Sequence, residues 1–443
     1  MQKRHLAKLC SFILACLILV GCLSGCAAKK DPVTWLVPTS AEQLKSYQAL
    51  FARFTEETGI ESEVIGSEYS QIYPKLQTMI ASKAVPEVHA YGTEFVPWAA
   101  RGAMTPMDSY IEENNFDMSR FNQNMVESLQ WKGEQYEIPL GLGTCVLFYN
   151  KALFEEAGVE EPTHDWGDGS WTMEAFLETA QKLTLDSQGR NALDPNFDEE
   201  NIVQFGIGGM QTYWFYPWYF GGDWTDPEVT KFTGNEPEAI EAMQFIADLS
   251  NKYHVMPTAE QSQAMSAGGN LFLTGRVAMS VEGSWDCVTF EQADFEWNIA
   301  CTPMGKQHSI VLFTDGIGIG ANCNNLEGGW ELMEWIFNDH ENYMEMLDAM
   351  YAMMTIPAMT DATDEVKDIL AQRYPGVDIN VMFDAAEQED ACPVYMRYHE
   401  NFTQMDEILR QEAIDPISTG EISAEEALNA VADDIQKLID DIQ

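Results

Sequence analysis

Positive charge is what this chain has least of. Its 443 residues carry 24 Lys and Arg against 71 Asp and Glu, a formal charge of −47. Phosphate contacts need clustered cations, so nucleic acid is not an expected partner. The same scarcity argues against strongly anionic small ligands. Signals for catalysis are also missing: there is no HExxH, no GxSxG and no Walker motif. No two cysteines stand in CxxC spacing, which removes the usual sign of a zinc or redox site. The polar stretch 186–201 lacks the oxygen spacing of an EF-hand and reads as a solvated loop. No metal and no cofactor is expected.

Long apolar runs are lacking as well. The one near the start, Leu9 to Val20, is too short for a comfortable membrane span. It follows Lys3, Arg4 and Lys8 in a segment without acids, the pattern of a signal peptide over residues 1–25. Next comes Leu23-Ser24-Gly25-Cys26, which is similar to the bacterial lipobox, where the cysteine after the cleavage point carries a diacylglycerol. Leu19-Val20-Gly21-Cys22 matches almost as well. Cys26 allows a longer apolar region and leads into a polar tether over 26–32. A lipid anchor on an exported domain places the protein's action on the extracytoplasmic face of the cell membrane. Beyond the leader, Cys145, Cys287, Cys301, Cys323 and Cys392 remain, odd in number and scattered, and read as small buried apolar residues.

Hydrophobic residues make up 46% of the chain, enough for real cores. A strand over 33–37, a helix over 42–58 ending at Gly59, a strand over 60–65, a helix over 72–82, a strand over 86–90 and a short helix over 95–101 succeed one another. That order predicts an α/β lobe with a mainly parallel sheet. In such sheets ligands bind beyond the carboxyl ends of strands, here at Ser40 and at Tyr91 and Glu94. A strand over 146–149 follows Gly143, and helices follow over 150–157 and from Ser170 or Thr172. Residues 213–220 are the most aromatic segment. If helical, it puts Tyr213 at the start and Trp214 and Trp218 on one face, with Phe215, Tyr219 and Phe220 in the core. Asp315-Gly-Ile-Gly-Ile-Gly320 lies in an apolar strand and opens no helix, so it does not predict a nucleotide site. Further helices are expected over 259–274, 329–337, 401–414 and 424–442.

The stretch from Phe272 to Trp285 organises these pieces. Gly275 suits a left-handed helix end, a short apolar strand follows over 276–281, and Glu282-Gly283-Ser284 breaks it. Trp285 emerges just beyond. By local pattern alone, a core tryptophan and a ring facing a cleft are both open readings.

Taken together, the chain resembles the family 1 extracellular solute-binding proteins of bacterial ABC importers, the group that contains maltose-binding protein. The matching pieces are the lipobox, Leu147-Phe-Tyr-Asn-Lys151 with Phe154 and Ala157-Gly158, and Trp171-Thr172 with Phe176. To these add Phe272, Gly275, Ala278-Met279, Gly283 and Trp285, and then Gly420, Ser423 and Glu425-Glu426-Ala427-Leu428. Pro86-Glu87-Val88 stands where the family usually has Pro-Asp-Val. Each motif alone is weak, but the ordered set covers nearly the whole chain after the leader.

The resemblance implies an α/β, two-lobe periplasmic-binding-protein fold of type II, with a ligand cleft between lobes joined by hinges. One lobe would comprise 31–143 plus 286–348, the other 144–285 plus 349–443. It implies cleft residues at Ser40, Tyr91, Glu94, Tyr213, Trp214 and Trp285, and Glu42 and Asp315 are further candidate ligand residues. Gly143 stands where maltose-binding protein supplies a carboxylate, so a maltose-like ligand does not simply transfer, and the loop 165–169 looks longer than usual. The implied function is capture of a carbohydrate, a neutral mono- or oligosaccharide, and delivery to ABC importer permease subunits by a monomeric, membrane-anchored, non-enzymatic receptor. A lipid-anchored glycoside-active enzyme and a surface sensing or adhesion protein are the alternatives, and a polyamine is the alternative ligand.

Overall fold

The computed structural model describes residues 31–40, 43–68, 71–90, 92–210, 212–266, 269–388 and 395–441. The leader, Cys22, Cys26 and most of the tether lie outside the described residues, as do Glu42, Tyr91 and Cys392.

One strand, Glu137–Asn150, runs through both halves of the molecule, and all fourteen of its residues are buried. The sequence reading placed a break near Gly143. The chain instead continues unbroken, because its near-continuous apolar run is covered on both faces. From Glu137 to Thr144 the strand pairs antiparallel with Leu312–Gly320. From Cys145 to Tyr149 it pairs antiparallel with Val277–Gly283. The change of partner falls between Thr144 and Cys145.

Around this strand an eleven-stranded mixed sheet is built. On one side Val33–Pro38 lies parallel to both Ser62–Ser67 and Val88–His89, and Val88–His89 meets Leu312–Gly320 antiparallel. This is the first lobe. On the other side Val277–Gly283 is parallel to Ile202–Ile207, forming the second. Parallel pairing is thus confined to the flanks of each lobe, and the centre is antiparallel. Two segments cross the division expected from the sequence. Trp297–Ala300, expected in the first lobe, pairs with Leu147 to Asn150 on the second-lobe side. Ile356–Pro357, expected in the second, pairs with Gly141 and Leu142 on the first-lobe side. In both cases the free edge of the long strand is the nearest unpaired ladder.

The helices follow local chemistry. Ala424–Asp440 starts at Ser423, whose side chain accepts from the Glu426 amide, and buries Leu428, Val431, Ile435 and Ile439 on one face. Gln43–Thr58 buries Tyr47, Leu50, Phe51 and Phe54. Met173–Leu183 is capped by Thr172, which accepts from Ala175. Gly275 adopts the expected left-handed cap at φ 68°. The helix expected over 259–274 is shorter, Ala259–Ser266, with a separate 3₁₀ turn at Phe272–Thr274. The aromatic segment is a 3₁₀ turn, Tyr213–Phe215, followed by one helical turn, Tyr216–Tyr219, with Pro217 in that turn. The helix expected over 401–414 passes from α at Phe402–Ile408 into a π turn at Leu409–Ile414. Cys145, Cys287 and Cys301 are buried free thiols.

The Gly-x-Gly-x-Gly strand proves to be close backbone packing. A Cβ at Gly316 would come 2.7 Å from the Glu137 Cβ, and one at Gly318 would come 3.0 Å from the Tyr136 carbonyl. Trp330 is buried on the helix Leu326–Asn338, its ring 5.5 Å from those of Tyr110 and Phe116. Trp330→Ala should therefore destabilise the protein by about 3–5 kcal/mol. Thermal melting checks this, with ligand affinity per folded molecule expected to stay unchanged.

Candidate ligand cleft

Trp285 lies just beyond Val277–Gly283, in the 3₁₀ turn Ser284–Asp286. It is 41% exposed, a rare state for a large apolar side chain in this molecule. Its ring lies across the point where the long strand changes partners. A Cβ on Gly143 would stand 2.9 Å from the indole Cε3, and one on Gly283 would collide with the same ring. Glycine at both positions lets the indole lie close on the backbone, and Phe313 meets its edge at 5.6 Å and 78°. Gly143, where the resemblance led one to look for a carboxylate, is instead the seat of the ring.

From Phe313 the cluster extends across the lobes. The Arg397 guanidinium carbon sits 5.4 Å from the Phe313 ring centroid and 5.0 Å from that of Trp214. Arg397 Nη2 donates to Glu94 Oε1 at 3.1 Å. Trp214 Nε1 donates to Asp406 Oδ1 at 2.7 Å, and the Tyr213 hydroxyl donates to the same oxygen at 2.5 Å. Arg410 holds the other Asp406 oxygen at 2.8 Å. Burial, and then Asp406, push the Tyr213 phenol far above its ordinary range. Tyr213 is thus a buried support, while Trp214 remains half-buried.

Asp315 lies in Leu312–Gly320 at a register shift between Asp315 and Gly316, where Gly316 pairs with Pro139. A bulge re-aims side chains, and the proline could not have donated to a regular ladder there. Asp315 Oδ2 accepts from the Tyr351 hydroxyl at 3.0 Å, and Oδ1 would stand 2.9 Å from a Cβ on Gly92. Burial raises its carboxyl to about 6, with Tyr351 and Arg397 opposing the rise. Glu137, fully buried nearby, is pushed well above the usual range by burial and by Asp315.

A second acidic pair flanks Trp285. Burial raises Glu282 to about 7, with Asp286 adding to the rise and the Ser280 hydroxyl, 2.7 Å away, opposing it. Asp286 is likewise raised to about 6 by burial.

Ser40 serves the fold. Its hydroxyl accepts from the Gln43 amide at 3.3 Å, and the Gln43 side chain accepts from the Ser40 amide at 3.1 Å. This reciprocal cap starts the helix Gln43–Thr58. Gln43 Nε2 also reaches the Met350 carbonyl at 3.3 Å. Glu94, Trp214, Trp285 and Asp315 thus come together, Tyr213 supports them from below, and Ser40 caps. Sequence reasoning missed Arg397, Phe313, Tyr351, Asp406 and the Glu282–Asp286 pair. The signal available for Arg397 was a cation inside an aromatic run, Tyr395-Met396-Arg397-Tyr398, in a chain poor in cations.

Two α/β lobes sharing one strand, with aromatic and acidic side chains gathered at the crossing, form the architecture of a solute receptor. The chain belongs to the bacterial extracellular solute-binding protein family, whose sequence model matches residues 49–377. Among relatives, a maltodextrin-binding protein of Bacillus subtilis is 21% identical over 442 residues, 96% of this chain and 97% of that one. The maltotriose-binding protein of Pyrococcus abyssi is 21% identical over 320 residues, 68% of this chain and 61% of that one. The ABC substrate-binding protein Lmo0181 of Listeria monocytogenes, solved with cycloalternan, superposes with a TM-score of 0.78 at 23% identity, over 93% of this chain and 99% of that one. The GacH receptor of Streptomyces glaucescens, solved unliganded and with acarbose, superposes at 0.73 and 20% identity, over 93% and 99%. These relatives are binding proteins, and the solved structures share the fold. Among the described residues no helix is long and apolar enough to cross a membrane, and no cluster of His, Cys, Asp and Glu could hold a metal ion.

The raised Glu282 carboxyl has a consequence for stability. Between about 4.5 and about 7 the folded state keeps a proton that the unfolded chain releases. The folded state then binds more protons, so this group's contribution to stability is lost as pH rises through that window. Melting temperatures recorded at about pH 5 and about pH 7.5 should fall less between the two for Glu282→Gln than for the unaltered protein.

Proposed function

We propose that this protein captures a neutral mono- or oligosaccharide between its lobes and delivers it to the permease of an ABC importer. The observation that carries the reading is Trp285: a large ring, 41% exposed, seated on glycine backbone at the crossing between lobes and flanked by Glu282 and Asp286. Sugars bind where an aromatic face covers the apolar face of the ring and carboxyl groups meet the hydroxyls. Covering that face stabilises binding by roughly 25 cal/mol per Å². Relatives named for maltotriose and maltodextrin, and neighbours solved with cycloalternan and acarbose, support a carbohydrate. Arg397 compensates Glu94, which favours a neutral sugar over a polyamine. Ligand contact with both lobes favours the closed arrangement, so selectivity arises by population shift. The change of strand partner beside Gly143 and the strand end at Gly283 are the hinge points in this reading. Cys26 carries the lipid that keeps the receptor on the extracytoplasmic face.

Calorimetry against neutral mono- and oligosaccharides tests the central claim. Losing a buried aromatic anchor costs upwards of about 2 kcal/mol, so Trp285→Ala should weaken binding at least about thirtyfold while the fold is kept. Normal binding by Trp285→Ala, or early melting with affinity per folded molecule intact, would make Trp285 a structural residue and remove the basis of the reading. Recovery of shortened sugar on thin-layer plates would instead point to a glycoside-active enzyme. For the anchor, Cys26→Ser should lose lipid labelling and leave the membrane fraction. Retained labelling would assign the lipid to Cys22.

A further inference from the structure

Arg397 stands where a ligand would be expected. Two residues that the sequence pointed to as ligand contacts, Glu94 and Trp214, face this arginine of the same chain. Nη2 is 3.1 Å from Glu94 Oε1, and the guanidinium is packed between the rings of Trp214 and Phe313 at 5.0 and 5.4 Å. Trp285, at one end of the cluster, is 41% exposed, whereas Arg397 is 5% exposed. The free aromatic face is therefore at the Trp285 end, and the Glu94 end is filled.

The backbone carrying Arg397 is held on both lobes. It lies in the turn Tyr395–Tyr398. Met396 is buried in the core of the second lobe, with Tyr149 and Trp224. Tyr398 packs against a small cluster of the first lobe that includes Leu36 and Phe95. Close by, Lys132 of the first lobe pairs with Glu400 at 2.7 Å. A guanidinium placed by anchors on both sides, stacked on two rings and paired with a partly buried carboxylate, is costly to displace. Moving it would strip both cation–π contacts and leave Glu94 uncompensated.

The geometry points to Arg397 as a plug that closes the Glu94 end of the cleft and so sets the length of ligand the protein accepts. In this account a short saccharide lies beside Trp285, and a longer chain has to displace the plug. Length selection rests on the carbohydrate reading, whereas the inter-lobe plug itself does not. In this account Glu94 holds Arg397 and is not a direct partner of sugar hydroxyls.

The experiment has two readouts on the full protein, its Arg397→Ala variant and its Arg397→Lys variant, which keeps the charge but loses the planar fork. Small-angle scattering without ligand should show a larger radius of gyration for Arg397→Ala, with Arg397→Lys between the two. Calorimetry over a series of neutral gluco- and manno-saccharides, from mono- to tetrasaccharide, should show wild type favouring the short members. Arg397→Ala should bind the longest members at least tenfold tighter than wild type does, and the short ones within threefold. A length profile in Arg397→Ala that parallels wild type, or tight binding of the longest members by wild type, overturns the proposal. If nothing in the series binds any form, the carbohydrate reading fails and scattering decides the plug alone: an expanded Arg397→Ala supports it, an unchanged curve overturns it. Thermal melting of Arg397→Lys keeps the comparison sound should Arg397→Ala fold poorly.

Discussion

The backbone ladder of a single strand holds the two halves of this molecule in register. Glu137–Asn150 gives its first half to Leu312–Gly320 and its second half to Val277–Gly283. Because the strand is buried throughout, every amide it carries must find a partner in one lobe or the other. The exchange of partners at Thr144 and Cys145 is where the two lobes join. There the Thr144 hydroxyl donates to the Val311 carbonyl at 2.8 Å and its amide reaches the Ser284 hydroxyl at 3.4 Å. The Trp285 ring lies on the same few atoms of backbone, so the element that links the lobes also seats an exposed aromatic surface between them.

Electrostatics shape the site in a way that the overall charge conceals. In a chain at −47, crowded carboxylates in a partly buried cleft would repel one another. Two devices offset this. Burial keeps Glu137, Glu282, Asp286 and Asp315 protonated to higher pH than usual, and Arg397 compensates Glu94 directly. Asp406, gripping Tyr213 and Trp214 through one oxygen and Arg410 through the other, fixes the far wall against which Arg397 stacks.

Much of the architecture was legible in the chain itself. Local signals succeed where the cause is local: Gly275 in its left-handed cap, Thr172 as a helix start, and the beginning of the last helix at Ala424 appear as read. Trp285 was visible as a ring placed after a strand and beside a glycine. What was misjudged depends on partners distant in sequence. The strand expected only over 146–149 runs back to Glu137 through Gly141 and Gly143, which are small to admit Thr355 and Trp285. Trp297–Ala300 and Ile356–Pro357 went to unexpected sides because an edge ladder recruits whichever strand reaches it.

By itself, then, the sequence determined the α/β class, the succession of elements and the family resemblance, since these follow from periodicity, caps and ordered motifs that neighbouring residues encode. Only the tertiary structure decided which of those side chains meet. Arg397 lies 303 positions from Glu94, and Asp406 lies 192 from Trp214. No local pattern encodes a contact across such a separation. It arises when two lobes, each folded around its own core, bring their loops to a common seam, and burial at that seam then sets which carboxyls are charged.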